Sequence, residues 1–350
     1  MALLWFDGFE GYNDLTSDMA SAIINSSKFL GFSVSEYPSV GAYGRRSSMG
    51  LLQQTAHYIK YTFADNYTSF VYGISIYQSS NAIPEYLASY PFLSFYDDTT
   101  IQLRFHMVGS EIHVYNGAGT KLGETSGFGM GYGITKYFEV KFTIDDSAGA
   151  VTIRSNETEV LALTSVDTQY SANAYFNRLW QNGSYNVTLC YDDQYMLDLT
   201  GDAPHNDFLG DIRVDILRPS AAGTYTDFTP SAGSNYQNVD ETNGPDDDST
   251  YNQGSDVGDK DSYQMPDLPA PAGTTIYGVK SQITVRKTDA GVRECKILTR
   301  VGTTDDLGDT ISMGDTYETH TKIFEDNPDD SAAFEDADVN AMEVGVEITA

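Results

Sequence analysis

Six aspartates crowd the stretch from Asp192 to Asp211. Asp192, Asp193 and Asp198 fall in Tyr191-Asp-Asp-Gln-Tyr-Met-Leu-Asp198, Asp211 falls in Phe208-Leu-Gly-Asp-Ile-Arg-Val-Asp-Ile-Leu-Arg218, and Asp202 and Asp207 lie between. Carboxylates in such number could hold calcium, which takes roughly six to eight oxygen ligands. Their spacing, however, is not the D-x-[DN]-x-[DN]-G order of a dedicated calcium loop. Two acids could also cleave a glycosidic bond if held about 5 Å or about 6.5–9.5 Å apart. Among 50 acids such pairs arise by chance, and none is marked out by an apolar setting. The residues therefore read as structural: two strands closing a sandwich, with the acids on wet faces or accepting backbone N–H groups in Asx turns. The same reading suits Asp246-Asp247-Asp248.

Other candidates are weaker. The five histidines (His57, His106, His113, His205 and His320) lack metal-ligand spacing. There is no G-x-S-x-G, Walker A or dinucleotide motif. Gly127-Phe-Gly-Met-Gly-Tyr-Gly133 imitates a phosphate loop but precedes a strand rather than a helix, so it reads as a connection. Arg45-Arg46 suits a surface or salt-bridge role. Trp180-Gln-Asn-Gly-Ser-Tyr185 and Tyr86 with Tyr90 could form sugar platforms, although aromatics in a sandwich more often pack. No residue is assigned a catalytic, cofactor-binding or metal-ligating role; no cofactor and no enzymatic activity are expected.

The elements around these residues are strands. Ile59, Tyr61 and Phe63 alternate with Lys60 and Thr62, and Phe70, Tyr72, Ile74 and Ile76 alternate across Gly73. Ile101, Leu103, Phe105 and Met107 alternate with Gln102, Arg104 and His106; Phe138, Val140, Phe142 and Ile144 alternate with Glu139, Lys141 and Thr143. Ile212, Val214 and Ile216 repeat the pattern. Each reads as a strand with one buried and one wet face. Asn116-Gly-Ala-Gly, Asp145-Asp-Ser-Ala-Gly and Asn182-Gly punctuate them as turns. A short helix is possible near Asn81–Ala88. Strand spacing and turn chemistry together predict an all-β sandwich over residues 1–218.

Residues 219–350 read as a second, smaller β-sandwich domain with long acidic loops at about 229–273. Short strands near Thr250 and Ser262 would pin those loops, because a structureless run of that length is improbable in a folded domain. Strands resume at Thr275–Lys287 and Arg293–Val301. Phe334 to Gly345 reads as one helix of about three turns, with Glu335 at the N-cap and Asp338 reaching back to it.

The net charge is −30, from 50 acids against 20 bases, which disfavours nucleic acid and anionic membranes as partners. Cys190 and Cys295 read as buried fillers rather than a disulfide framework. The polar turn after Phe6 argues against a signal peptide, and no apolar run is long enough for a membrane span.

The opening Phe6-Asp-Gly-Phe-Glu10, the run from Tyr191 to Gly201 and the strand Phe208–Pro219 resemble tailed-bacteriophage virion structural proteins with a concanavalin A-like, laminin-G-like sandwich. Asn238-Val-Asp-Glu, Val257-Gly-Asp-Lys-Asp-Ser-Tyr, Val285-Arg-Lys-Thr-Asp-Ala-Gly and Asp338-Val-Asn-Ala-Met-Glu-Val-Gly resemble the domain that often follows it in tail or appendage proteins. This resemblance implies a non-enzymatic virion component, a tail-tip, fibre or appendage part that self-associates and docks on tail or capsid subunits. Its alternatives are a capsid decoration protein, and a glycan-binding receptor module or depolymerase engaging a host surface glycan. It implies neither a nucleic-acid partner nor membrane insertion.

Overall fold

Aromatic rings spaced two apart on several strands can pack only by meeting rings from a second sheet, and that is how the first part of this protein is built. The computed structural model describes residues 2–12, 15–34, 39–41, 50–53, 58–79, 91–182, 189–242 and 244–350. Arg45, Arg46, His57, Asn81–Ala88, Tyr90 and Tyr185 lie outside the described residues. The chain divides into two units. One comprises Met1–Glu10 and Ser27–Val214; the other comprises Gly11–Ser26 and Asp215–Ala350. The segment 11–26 belongs to the second unit.

The first unit contains β1 (Leu3–Asp7), β2 (Phe29–Val34), β3 (Ser39–Gly41), β4 (Gly50–Gln53) and β5 (Tyr58–Tyr67). Then come β6 (Ser69–Gln78), β7 (Leu93–Asp97), β8 (Thr100–Val108), β9 (Glu111–Asn116) and β10 (Lys121–Glu124). Last are β11 (Thr135–Thr143), β12 (Gly149–Ser155), β13 (Thr158–Val166), β14 (Phe176–Asn182) and β15 (Leu189–Leu197). They form two antiparallel sheets. The first sheet runs β13-β12-β11-β6-β15-β4-β3 with β1 beside β15; the second runs β10-β9-β8-β7-β14-β5-β2. Between them lie Phe70 and Phe142 from one sheet and Phe63, Phe95 and Phe176 from the other. Phe95 meets Phe142 at 4.5 Å and Phe176 meets Phe70 at 5.1 Å and 90°. Each such pair contributes about 0.5–1.5 kcal/mol beyond its area burial. A buried polar bridge crosses the same core: Tyr72 Oη donates to Gln181 Oε1 at 2.9 Å, and Gln194 Nε2 donates to Tyr61 Oη at 3.2 Å.

The outer face of the first sheet is covered by the chain itself. Residues 198–214 leave β15 and cross that face as an irregular strap, so the strand expected at 208–218 does not form. The strap is tied by Glu139, whose Oε1 accepts the Tyr195 hydroxyl at 2.5 Å and Gly210 N–H at 2.9 Å. Leu209 N–H donates to Tyr195 Oη at 3.1 Å, and Phe208 lies 4.2 Å from the Arg154 guanidinium. Gly73 sits beneath the Tyr195 ring, which fills the space a Cβ would need.

The second unit adds β16 (Ala221–Thr226), β17 (Thr229–Pro230), β18 (Asn252–Gln253), β19 (Lys260–Gln264) and β20 (Val279–Val285). It continues with β21 (Glu294–Val301), β22 (Thr304–Leu307), β23 (Ile311–Ser312), β24 (Glu318–Phe324) and β25 (Glu343–Ile348). The six-stranded sheet β16-β19-β25-β21-β22, with β23 on β21, packs against the β20–β24 ribbon. Cys295 and Ile297 meet Ile283 and Val285, while Val301 and Phe324 meet Val339 and Met342. Helix α1 (Ala20–Ile24) docks on β24: Asn25 Nδ2 donates to Thr319 O at 3.1 Å and Thr319 N–H to Ser21 Oγ at 3.0 Å. The acidic stretch is pinned by β17, β18, β19 and the turn Asn235–Asn238. There the buried Asp261 accepts Asn235 Nδ2 at 2.8 Å and Tyr263 Oη at 2.6 Å.

The expected three-turn C-terminal helix is a correction. Helix α2 spans only Asp336–Asn340, and β25 begins at Glu343. The Glu335–Asp338 capping box is present. Val344, Val346 and Ile348 alternate, and they continue as a strand paired on both sides by β19 and β21.

Candidate ligand-binding face

Several aspartates of the cluster are tied into the fold by hydrogen bonds and an ion pair. Asp192 and Asp193 are buried, at 2% and 3% exposure, which corrects the expectation of wet faces. They mark a bulge in β15, where the register with β6 shifts and Asp193 adopts φ 50°. Asp193 Oδ1 accepts Val214 N–H at 2.8 Å, holding the end of the strap, and its carbonyl accepts the Tyr137 hydroxyl at 2.8 Å. Asp198 caps its own turn by accepting Thr200 N–H at 2.9 Å, and Asp207 pairs with Lys141 at 3.0 Å. Burial pushes the Glu10 carboxyl up to about 8, with Asp192, Asp7 and Asp193 adding repulsion and a backbone hydrogen bond opposing. Among the described residues no group of three or more His, Cys, Asp or Glu is arranged to hold a metal ion. Asp248 is likewise engaged, with Arg286 at 2.5 Å and with the Tyr317 hydroxyl at 3.1 Å.

Both cysteines are buried and free, and burial raises their thiols to about 11 for Cys190 and about 12 for Cys295. Burial thus favours the protonated thiol at both positions. No described helix is long and apolar enough to cross a membrane.

The outer face of the second sheet is different. Residues directly opposite in an antiparallel pair share a face, and the register aligns one row across six strands. Lys60 on β5 lies opposite Trp180 on β14, Trp180 opposite Ser94 on β7, and Ser94 opposite Arg104 on β8. The row continues through Tyr115 on β9 to Lys121 on β10. A second row sets Thr62, Arg178 and Tyr96 side by side, and a third sets His106 opposite His113 and His113 opposite Glu124. Most of these side chains are half-buried, screening one another.

Trp180 is the centre of the face. Tyr96 stacks on it from the β7 side at 4.3 Å and 31°, and the Lys60 ammonium approaches from the β5 side, 3.8 Å from the ring centroid. The same ammonium lies 3.9 Å from the Tyr58 ring. Burial lowers the Lys60 pKa and raises that of the Tyr96 phenol. His106 packs edge-on to Tyr115 at 5.0 Å. Among the described residues neither Lys60 nor Arg104 has a carboxylate within ion-pair distance. The Nε groups of Arg104 and Arg178 are buried without an acceptor.

One end of this face is walled. Gln102, fully buried, donates to Ser171 Oγ and to the carbonyls of Asn173 and Tyr175 at 2.7–2.9 Å, and accepts Tyr170 and Ser171 N–H groups at 2.6 and 2.9 Å. Asp97 Oδ2 accepts the Ser171 hydroxyl at 2.7 Å and Asn173 Nδ2 at 2.9 Å. Residues 167–175 are thereby tied down as a rim, with Tyr170 more than half exposed at its lip.

The carboxylates beside the face are already engaged. Asp98 lies 3.7 Å from Arg178 and accepts Asn177 Nδ2 at 3.2 Å. Glu124 pairs with Lys121 and with His113. Glu111 accepts the Thr125 hydroxyl at 2.6 Å and Phe128 N–H at 3.0 Å, fixing the start of the glycine-rich connection 127–133.

Sequence reasoning placed Lys60, Thr62, Gln102, Arg104 and His106 on wet faces and singled out Trp180, but did not join them. The signal available was alternation alone; the pairing of β5 with β14 joins residues 120 positions apart in the chain, Lys60 and Trp180.

The sequence matches no protein-family model and no curated protein sequence. Solved structures similar in fold include the binding domain of Paraclostridial Mosquitocidal Protein 1, at TM-score 0.41 and 11% identity over 56% of this chain and 49% of that one. Domain 4 of AbnA, a GH43 extracellular arabinanase from Geobacillus stearothermophilus solved with arabinotriose, matches at TM-score 0.40 and 9% identity over 56% of this chain and 92% of that one. A sialidase matches at TM-score 0.32 and 8% identity over 47% of this chain, which spans only 16% of its length. At these values the likeness is one of β-sandwich architecture and carries nothing about ligands.

Proposed function

We propose that this chain is a non-catalytic glycan-binding module that attaches its bearer to a surface. The carrying observation is the row Lys60–Trp180–Ser94–Arg104–Tyr115 on the outer face of the second sheet. Sugars present apolar C–H patches beside hydroxyls; aromatic rings pack the former, and guanidinium, ammonium and hydroxyl groups bond the latter. A walled face of interleaved rings and donors meets both needs.

Binding rather than cleavage is favoured because Asp98, Glu111 and Glu124 already serve as partners of neighbouring groups, which leaves no opposed acid pair there among the described residues. Of the settings drawn from sequence, surface attachment is the one that such a face serves. A tail or head-decoration subunit with a purely scaffolding role needs no polar–aromatic face. The virion setting rests on the sequence resemblance alone.

The test is binding of the full chain to a panel of immobilised polysaccharides, with Trp180→Ala as the variant. Loss of about tenfold or more in affinity is expected, with no new reducing ends released from any bound glycan. Undiminished binding by Trp180→Ala, or steady release of reducing ends, would overturn the proposal.

A further inference from the structure

We infer that the ligand of this face is an anionic polysaccharide, one carrying carboxylate or sulfate groups along its length. This rests on the glycan-binding reading and deepens it.

Charge is the first argument. Residues 1–218 carry 24 acids against 12 bases, yet Lys60, Arg104, Arg178 and Lys121 all fall on this one face. Arg178 and Lys121 have carboxylate partners, whereas Lys60 and Arg104 have none among the described residues. Half-buried, with no carboxylate beside them among the described residues, these two cations are placed to pair with an anion from outside. They lie three strand spacings apart along the row, with Trp180 and Ser94 between, roughly 14 Å at about 4.8 Å per spacing. That is about the length of two to three sugar units, so a chain with repeating anions could reach both.

The second argument is how Lys60 is held. A neutral sugar stacks on a bare indole face. Here Tyr96 occupies one side of Trp180 and the Lys60 ammonium the other, itself lodged between Trp180 and Tyr58. The rings immobilise the cation by cation–π attraction, so a ligand arriving at this position meets a fixed positive charge rather than an open ring. Pre-organised charge of this kind selects an anion and costs little side-chain entropy on binding.

The third argument excludes indiscriminate attraction. With a formal charge of −30, the protein as a whole repels polyanions, so any that it captures must be held by a local arrangement.

The experiment compares the full chain on polygalacturonate, dextran sulfate, and neutral dextran and galactan, at about 0.05 and about 0.5 M salt. Variants are Lys60→Met, Arg104→Gln and, as a control on the other sheet, Lys136→Gln. Binding to the carboxylated or the sulfated polymer is expected, weakening at least tenfold at the higher salt, and the arm that binds names the anion. Lys60→Met and Arg104→Gln should each lose about tenfold, with Lys136→Gln unchanged and all three variants melting as the parent does. Binding of a neutral polymer that is insensitive to salt and to Lys60→Met would overturn this inference while leaving the glycan-binding reading intact. Binding of no polymer at all, charged or neutral, would overturn both. Equal losses in Lys136→Gln would overturn it too, by showing an effect of net charge rather than of this face.

Discussion

The two outer faces of the first unit are built from the same alternating strands and finished in opposite ways. On the first sheet, Glu139, Tyr195 and Asp193 turn their polar atoms toward a strap of the chain's own backbone, and the face is buried. On the second, Lys60, Trp180, Arg104 and Tyr115 lie half-buried in one row, with the rim 167–175 at one end of the face. A polar residue on an outer strand face is thus no guide to function by itself. What separates the two faces, among the described residues, is that the chain's own backbone meets Glu139 and Asp193, whereas no carboxylate meets Lys60 or Arg104. Glu139 and Asp193 hold the strap; in the proposed function Lys60 and Arg104 meet a ligand outside the fold.

Changes on the covered face should therefore act on folding. The largest effect is expected from Gly73→Ala, because a methyl there overlaps the Tyr195 ring that anchors the strap. A loss of about 3 kcal/mol is expected, read as a fall in Tm of roughly 6–12 °C. A near-neutral result would mean that the Tyr195 ring does not rest on Gly73.

Next is Tyr195→Phe. It removes the hydroxyl that donates to Glu139 and accepts from Leu209 N–H, leaving both buried. About 1–3 kcal/mol should be lost in urea unfolding. Unchanged stability would dissociate the strap from the sheet and blur the distinction between the faces.

A smaller effect separates the faces by pH. Glu10 holds its proton to about 8 in the folded state but only to about 4.5 when unfolded. The folded form is then favoured below about 4.5, and this contribution fades as pH rises toward about 8. Glu10→Gln removes the fade. Its Tm should gain on the parent by about 2–4 °C more at pH 8 than at pH 5. Parallel pH curves for the two proteins would show that Glu10 is not buried among the aspartates.

Much of this architecture was legible from residue order. Alternation in Ile59–Phe63, Phe70–Ile76 and Ile101–Met107 placed the core-facing aromatics, and the turn at Asp145–Gly149 is set by Asp145 Oδ1 accepting Ser147 and Ala148 N–H groups at 2.8 and 2.6 Å. The Glu335–Asp338 cap was legible too. Its helix was misjudged in length because Val339 and Met342 fit a helical spacing while Val344, Val346 and Ile348 fit a strand, and pairing with β19 and β21 decides for the strand.

The strap escaped notice for a related reason. Ile212, Val214 and Ile216 alternate as a strand would, but among the described residues no strand pairs with them, and Val214 N–H goes to an aspartate. The proposed ligand face was hidden because its members come from six strands and meet only through register, which local pattern does not encode.

The most direct measurement sets Trp180→Ala against Tyr195→Phe, each scored for both Tm and polysaccharide binding. The account predicts a double dissociation. Trp180→Ala should lose about tenfold or more in binding with Tm within about 3 °C of the parent, and Tyr195→Phe should lose stability while the folded protein binds as the parent does. Parent-like binding by Trp180→Ala, or loss of binding by folded Tyr195→Phe, would contradict it.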